Sequence, residues 1–237
     1  MKLSAATAIA LLVPLLAPAD WVMENKVDSP RGKIFATIKA KGDKFRVDVA
    51  DGPQGAMSTI LDTGAGEIVQ LAHDRKEARK ILSEKIKQRL EELNKNTPSA
   101  SAAAPPKSTG EKEKIGDWEC EIYAWGNDRM SAKLWLATNI PKAQEIKAMM
   151  EKLNSGGLGG AQSGPDTAAL PGVMVQTEST TGAGKSTMRV ISIKEQNVNA
   201  SEFDVPPDYE VKTTPPPNLR AVPSARSGAP GIDKKGR

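Results

Sequence analysis

The stretch from Gly32 to Gly52, GKIFATIKAKGDKFRVDVADG, decides the fold. Ile34, Ala36 and Ile38 take alternate positions; after Lys41, Gly42 and Asp43, Phe45, Val47 and Val49 do the same. Alternation at period two gives each of two strands one apolar face, and a tight Gly-Asp tip joins them as a hairpin. A lone hairpin cannot bury that face, so further strands and a covering layer are required.

Three further stretches supply the strands. MSTILDTGAGEIVQLA (Met57 to Ala72) turns at Thr63 to Gly66. WECEIYAWGNDRMSAKLWLAT (Trp118 to Thr138) alternates Cys120, Ile122, Ala124 and then Met130, Ala132, Leu134, Leu136 around Gly126, Asn127 and Asp128. VMVQTESTTGAGKSTMRVISI (Val173 to Ile193) turns near Gly182. Successive hairpins predict an antiparallel meander in a mainly β (α+β) protein. Two amphipathic helices are predicted to interrupt it and lie against its open face. The first spans Arg75 to Lys95, with Asp74 and Glu77 at capping-box spacing and a stripe of Ala78, Leu82, Ile86, Leu90 and Leu93. The second spans Pro141 to Asn154, with Ala143, Ile146, Met150 and Leu153 on one side and glycines after Ser155 to stop it.

The ends and one interior segment have a different character. Residues 1–19 (MKLSAATAIALLVPLLAPA) place Lys2 before an apolar run that closes on Ala17, Pro18, Ala19, the pattern of a secretory signal. The mature chain is then expected to begin at Asp20, in the periplasm, with no membrane-spanning segment after cleavage. Asn96 to Lys114 and Thr213 to Arg237 are rich in Ser, Ala, Pro, Gly and charge without a hydrophobic period, and read as a disordered linker and a disordered basic tail around a domain of residues 20–212.

Charge location excludes a class of partner. Of the formal +4, Lys2 contributes one and residues 213–237 contribute four (five bases against Asp233), which leaves residues 20–212 at −1. A nearly neutral body offers no basic groove for phosphates, so neither nucleic acid nor nucleotide is expected as a partner. One Cys and one His cannot build a disulfide framework or a structural zinc site, so no metal or cofactor is expected. Cys120 alternates inward with Ile122 and reads as buried; His73 reads as a solvated residue at a helix start.

Two motifs resemble catalytic loops. TTGAGKSTM (Thr180 to Met188) ends like a phosphate-binding loop, but Ser179 stands where the first glycine belongs and MRVISIKE follows as a strand, where that loop requires a helix. ILDTGAG (Ile60 to Gly66) is like an aspartic-protease loop, whose chemistry needs a second carboxylate sharing one proton, from another such loop or from the partner in a homodimer. Asp62, Thr63 and Gly64 also suit a hairpin tip.

The order of GDKFRVDVA (from Gly42), STILDTGAGEIVQLA (Ser58), IGDWECEIYAW (Ile115), LWLAT (Leu134), LPGVMVQTE (Leu170) and SEFDVPPDYEVK (Ser201) resembles a family of exported bacterial proteins of unassigned function, related to the LolA/LolB-like lipoprotein carriers. That resemblance implies a curved half-barrel with the helices on its concave, apolar side, where the carriers receive acyl chains. In the carriers a strand arginine holds the helical lid, a role the residues here do not assign to Arg46. The leading expectation is a non-enzymatic, monomeric envelope protein that binds a lipid or lipoprotein acyl chain. Its apolar lining would comprise Ile34, Phe45, Val47, Ile122, Leu134, Leu136, Val175 and Ile191 from strands, with Leu82, Ile86 and Met150 from helices. The alternative is a structural or interaction module whose barrel is filled by its helices and whose basic tail contacts an anionic polymer.

Overall fold

The computed structural model describes residues 19–52, 55–82, 105–126, 130–154 and 170–213. The elements in chain order are β1 (Trp21–Ser29), β2 (Gly32–Lys41), β3 (Lys44–Gly52), β4 (Gly55–Asp62), β5 (Glu67–Ala72), β6 (Glu77–Leu82), β7 (Lys107–Ile115), β8 (Trp118–Gly126), β9 (Met130–Ala137), α1 (Ala143–Leu153), β10 (Val173–Thr181), β11 (Gly184–Glu195) and β12 (Glu210–Thr213). They form one 12-stranded open, curved sheet, in the order β12-β6-β5-β4-β3-β2-β1-β11-β10-β9-β8-β7. Neighbours are antiparallel except β12 and β6, which run parallel. β1 lies mid-sheet and pairs with both β2 and β11, joining the two runs of hairpins.

The strands of all four predicted hairpins pair as expected, and of the third predicted tip Asn127 and Asp128 lie outside the described residues. Phe45 pairs with Ala40 across β2–β3 and with Leu61 across β3–β4, so these side chains share one face. Register shifts interrupt the ladders at Glu24/Asn25, Val49/Gly52, Ser108/Lys112 and Met174/Gln176. Such bulges increase local twist and bend a sheet, which accounts for the curvature. TTGAGKSTM is the β10–β11 tip: Thr181 pairs with Gly184, and β11 continues to Glu195 with no helix after it.

α1 matches the second predicted helix. Ile146 and Met149 are buried, Ala143, Met150 and Leu153 pack beside them, and together they meet Trp21, Met23, Phe45, Leu61 and Val173. Burying each of the two inner side chains is worth about 1.5–3 kcal/mol. The face carrying α1 is termed inner, the other outer.

The first predicted helix is not formed where it is described. His73–Arg75 make one 3-10 turn, Lys76 adopts a left-handed conformation (φ 49°), and Glu77–Leu82 become β6, paired along its length with β5. The misreading has a physical cause. Residues four apart share a face in a strand as well as in a helix, so Ala78 and Leu82 satisfy both patterns. The backbone ladder with β5 settles the choice. Residues 83–95 of that prediction, including Ile86, lie outside the described residues, so α1 is the one α-helix among those described.

The predicted linker is corrected in its second half: Lys107–Ile115 form the edge strand β7, with only Ile115 buried. An edge strand has one ladder and open solvent on its other side, so a charged segment without hydrophobic period can fill it. Residues 96–104 of the linker, the signal segment up to residue 18 and the tail beyond Thr213 lie outside the described residues.

Candidate functional site

The inner face has two zones. Beneath α1 it is closed by buried Trp21, Met23, Phe45, Ile122, Trp135 and Val175. Away from α1 the same face continues through Val27, Ile34, Ala36, Val47, Val49 and Met57. The register sets Val27 beside Ile34, Ala36 beside Val49, and Val49 beside Met57. These six are half-buried and belong to no buried cluster.

The predicted lining residues therefore separate. Phe45, Ile122 and Val175 lie in the buried zone, with Met150 packed against it. Ile34 and Val47 lie in the half-buried zone. Leu134 and Leu136 do not join them. They pack with Trp125, Ala132 and Leu170 in a separate cluster, while Trp135 between them enters the inner core. The expectation counted Leu134 and Leu136 with the other inward residues because both are apolar; alternation separates them from Trp135, so it is Trp135 that packs in the core beneath α1. Ile191 sits at the β11 bulge and is 49% exposed, because the extra residue breaks the alternation that would have turned it inward. Leu82 is in β6 opposite Glu67.

The outer face holds an arrangement that sequence reasoning missed. The segment after β11 crosses β3–β6 as a strap, burying Val198 and Phe203 against Ile60, Val69, Leu71 and Ala78, with Val205 and Tyr209 beside them. Asn199 caps its 3-10 turn, Ala200–Phe203, by accepting from the Ser201 amide at 3.1 Å. Polar groups pin the strap to the sheet. Arg46 donates through Nη1 to the Glu202 carbonyl (2.7 Å), through Nε to Asp48 (2.6 Å) and through Nη2 to Ser58 Oγ (3.0 Å). Lys39 pairs with the Glu202 carboxylate. His73 is half-buried, with Nε2 2.7 Å from Ser58 Oγ and Nδ1 2.6 Å from the Tyr209 hydroxyl. The expectation of a solvated His73 is thus corrected: the helix that would have exposed it is a single 3-10 turn, and the strap lies over it. Arg46 holds this strap on the outer face.

Ser58, His73 and Asp48 invite comparison with a nucleophilic triad. In that chemistry the hydroxyl donates to the imidazole and the imidazole donates to the carboxylate. Here the hydroxyl donates to Asp48, Nε2–H and Arg46 donate to Ser58 Oγ, and the Tyr209 hydroxyl donates to Nδ1, an assignment that satisfies every partner. Ser58 is 1% exposed. The geometry is that of a lock between sheet and strap. Asp62 Oδ1 accepts from the Ala65 amide at 2.8 Å and so shapes its own turn.

Two cavities of about 200 Å³ each adjoin this region. One lies between the strap and β4–β6, with Ile60, Val69 and Phe203 among its walls; the other lies beside Phe35, with Asp48, Ser58 and His73. Both fall below the roughly 300–1,000 Å³ usual for ligand pockets. Among the described residues no cluster of three or more His, Cys, Asp or Glu is placed to hold a metal, and no helix is long and apolar enough to cross a membrane. Cys120 is buried, and burial pushes its thiol above the ordinary range.

An open, curved antiparallel sheet with a helix on one face and a strap on the other defines the class of protein. The chain belongs to the family described as a domain of unknown function, DUF4412, whose model matches residues 21–209. No curated protein matches it. Among solved structures it is similar to PNGF-II (TM-score 0.40, 9% identity, 83% of this chain and 31% of that one). It is also similar to MucB in complex with MucA(peri) (0.43, 8%, 84% and 58%). A LolA superfamily protein from Nitrosomonas europaea is a third likeness (0.31, 9%, 80% and 91%). The chain thus spans about a third of PNGF-II. Likenesses of this degree concern the path of the chain.

Proposed function

We propose that the protein is an exported, non-enzymatic binder of an apolar ligand, a lipid or an acylated chain, held along the inner face of the sheet. One observation carries this reading: Val27, Ile34, Ala36, Val47, Val49 and Met57 form a continuous apolar strip in register, half-buried and outside the core that α1 closes. An acyl chain laid on such a strip contributes about 0.8 kcal/mol per buried CH₂. The apolar segment ending in Ala17, Pro18, Ala19 supports export.

Native mass spectrometry of the protein purified from an envelope fraction tests the proposal, with fluorescent fatty-acid displacement as a second readout. Lipid is expected on the wild type and not on a folded Ile34→Glu variant. Wild type that carries no lipid and displaces no probe would refute it. A second reading, a filled interaction module, is favoured by the closed packing of Ile146 and Met149 beneath α1. It predicts no lipid on either protein.

A further inference from the structure

The outer face of β11–β1–β2 carries an exposed aromatic among cations. Phe35, in the interior of β2, is 62% exposed. The register sets Lys26 of β1 beside it and Arg189 of β11 beside Lys26, so one row crosses three strands. Lys33 follows along β2, and Arg31 lies at the β1–β2 tip next to Pro30, which faces Gly184 of the β10–β11 tip. In the same sector Ile191 is 49% exposed, while its neighbour Val190 turns into the inner core.

The acids of this sector are engaged. Asp28 pairs with Lys26 at 2.8 Å, Glu178 pairs with Lys185 at 2.8 Å, and Glu24 accepts from Ser192 Oγ at 2.8 Å. Arg189 donates to the neutral Gln176, and among the described residues Arg31, Lys33 and Arg189 have no ion-pair partner. A body of net charge −1 thus presents one sector where cations surround exposed apolar side chains.

That composition selects the partner. The cores of protein interfaces favour Phe and Arg but are depleted in Lys, and here Lys26 and Lys33 flank the exposed Phe35; an anionic polymer would not require an exposed Phe and Ile. A lipid surface uses both, since apolar side chains enter the headgroup boundary while bases rest over anionic headgroups. We propose that the outer face of β11–β1–β2 docks on an anionic lipid surface, with Phe35 and Ile191 entering the interface and Arg31, Lys33 and Arg189 over the headgroups. This stands independently of ligand binding on the inner face.

Sedimentation of the full mature chain with phosphatidylglycerol-containing vesicles, against phosphatidylcholine vesicles, tests it. Binding to the anionic vesicles alone is expected, weakening as salt is raised. Phe35→Ala should weaken partitioning about tenfold and Lys33→Gln about fivefold. Both side chains are exposed, so thermal melts should match the wild type. The basic segment 213–237 is present in every protein, so the differences report the sheet face. No binding to phosphatidylglycerol would overturn the proposal. So would equal binding by wild type and both variants, the result if the tail alone made the contact, or retention on dextran sulfate insensitive to Phe35→Ala. Lipid content by mass spectrometry should be unchanged in Phe35→Ala, which separates this result from failure of the inner-face reading.

Discussion

Replacing Arg46 with alanine removes three hydrogen bonds at once, to Asp48, Ser58 and the Glu202 carbonyl. The arginine side chain is 17% exposed and that of Asp48 28%, so neither group is freely solvated. Hydrogen bonds to charged groups contribute about 1.5–3 kcal/mol each, and breaking one side of a buried pair costs about 3–5 kcal/mol. Partial exposure of Asp48, and Lys39 3.8 Å from it, offset part of that loss. The expected destabilisation is about 2–3 kcal/mol, or a Tm lower by about 5–10 °C for a domain of this size. Arg46→Lys keeps the charge but cannot serve three partners, and should lose about half as much. Hydrogen exchange locates the effect: amides of residues 198–213 should lose protection in Arg46→Ala while those of β8 and β9 keep theirs. An Arg46→Ala protein within about 0.5 kcal/mol of wild type, or one destabilised with strap protection intact, would refute the account of the lock.

Further predictions concern other parts of the fold. Tyr209→Phe should cost about 1 kcal/mol by urea titration, and a double-mutant cycle with His73→Gln should show non-additivity, because both remove the same hydrogen bond. Lys76 at Asp208 and Lys212 at Glu77 hold those carboxyls below their ordinary range. Their stabilisation is therefore present above the unfolded carboxylate pKa and lost as the pH falls through the lowered folded values. Lys76 and Lys212 are raised by the same pairs, and their contribution is lost as pH rises through the raised values. Exchange protection of β12 should accordingly be greatest near neutrality and fall at both extremes. Gly172 has φ +82°, and a Cβ there would stand 2.4 Å from the Ala137 carbonyl, so Gly172→Ala should cost more than about 1 kcal/mol in thermal denaturation. Lys185→Ala, which removes an exposed charge paired with Glu178, should change stability by less than about 0.5 kcal/mol; ATP binding abolished by this substitution would contradict the hairpin reading.

The sequence by itself determined the strand pairs of the four hairpins and the helix at α1. Period-two alternation and Gly-centred turns are local signals: Ile34 to Val49 states its own pairing within a few residues, and Ile146 needs only its own helix to define an apolar side. Of the half-buried strip it named Ile34 and Val47 alone, because alternation says which residues share a face and not which part of that face α1 covers. Phe45, Ile122 and Val175 lie beneath α1, while Leu134 and Leu136 pack in a cluster separate from Trp135 and Ile191 stands exposed at the β11 bulge, contacts that no local pattern states. Tertiary structure decided the identity of β6, whose four-residue spacing suits a helix equally well until β5 supplies a ladder. It also decided the Arg46–Ser58–His73–Tyr209 lock. Arg46 and Tyr209 are separated by most of the chain, and each looks like an ordinary polar residue where it stands. Only the strap, crossing the outer face to bury Phe203 against Ile60, gives these hydrogen bonds partners and takes them out of water.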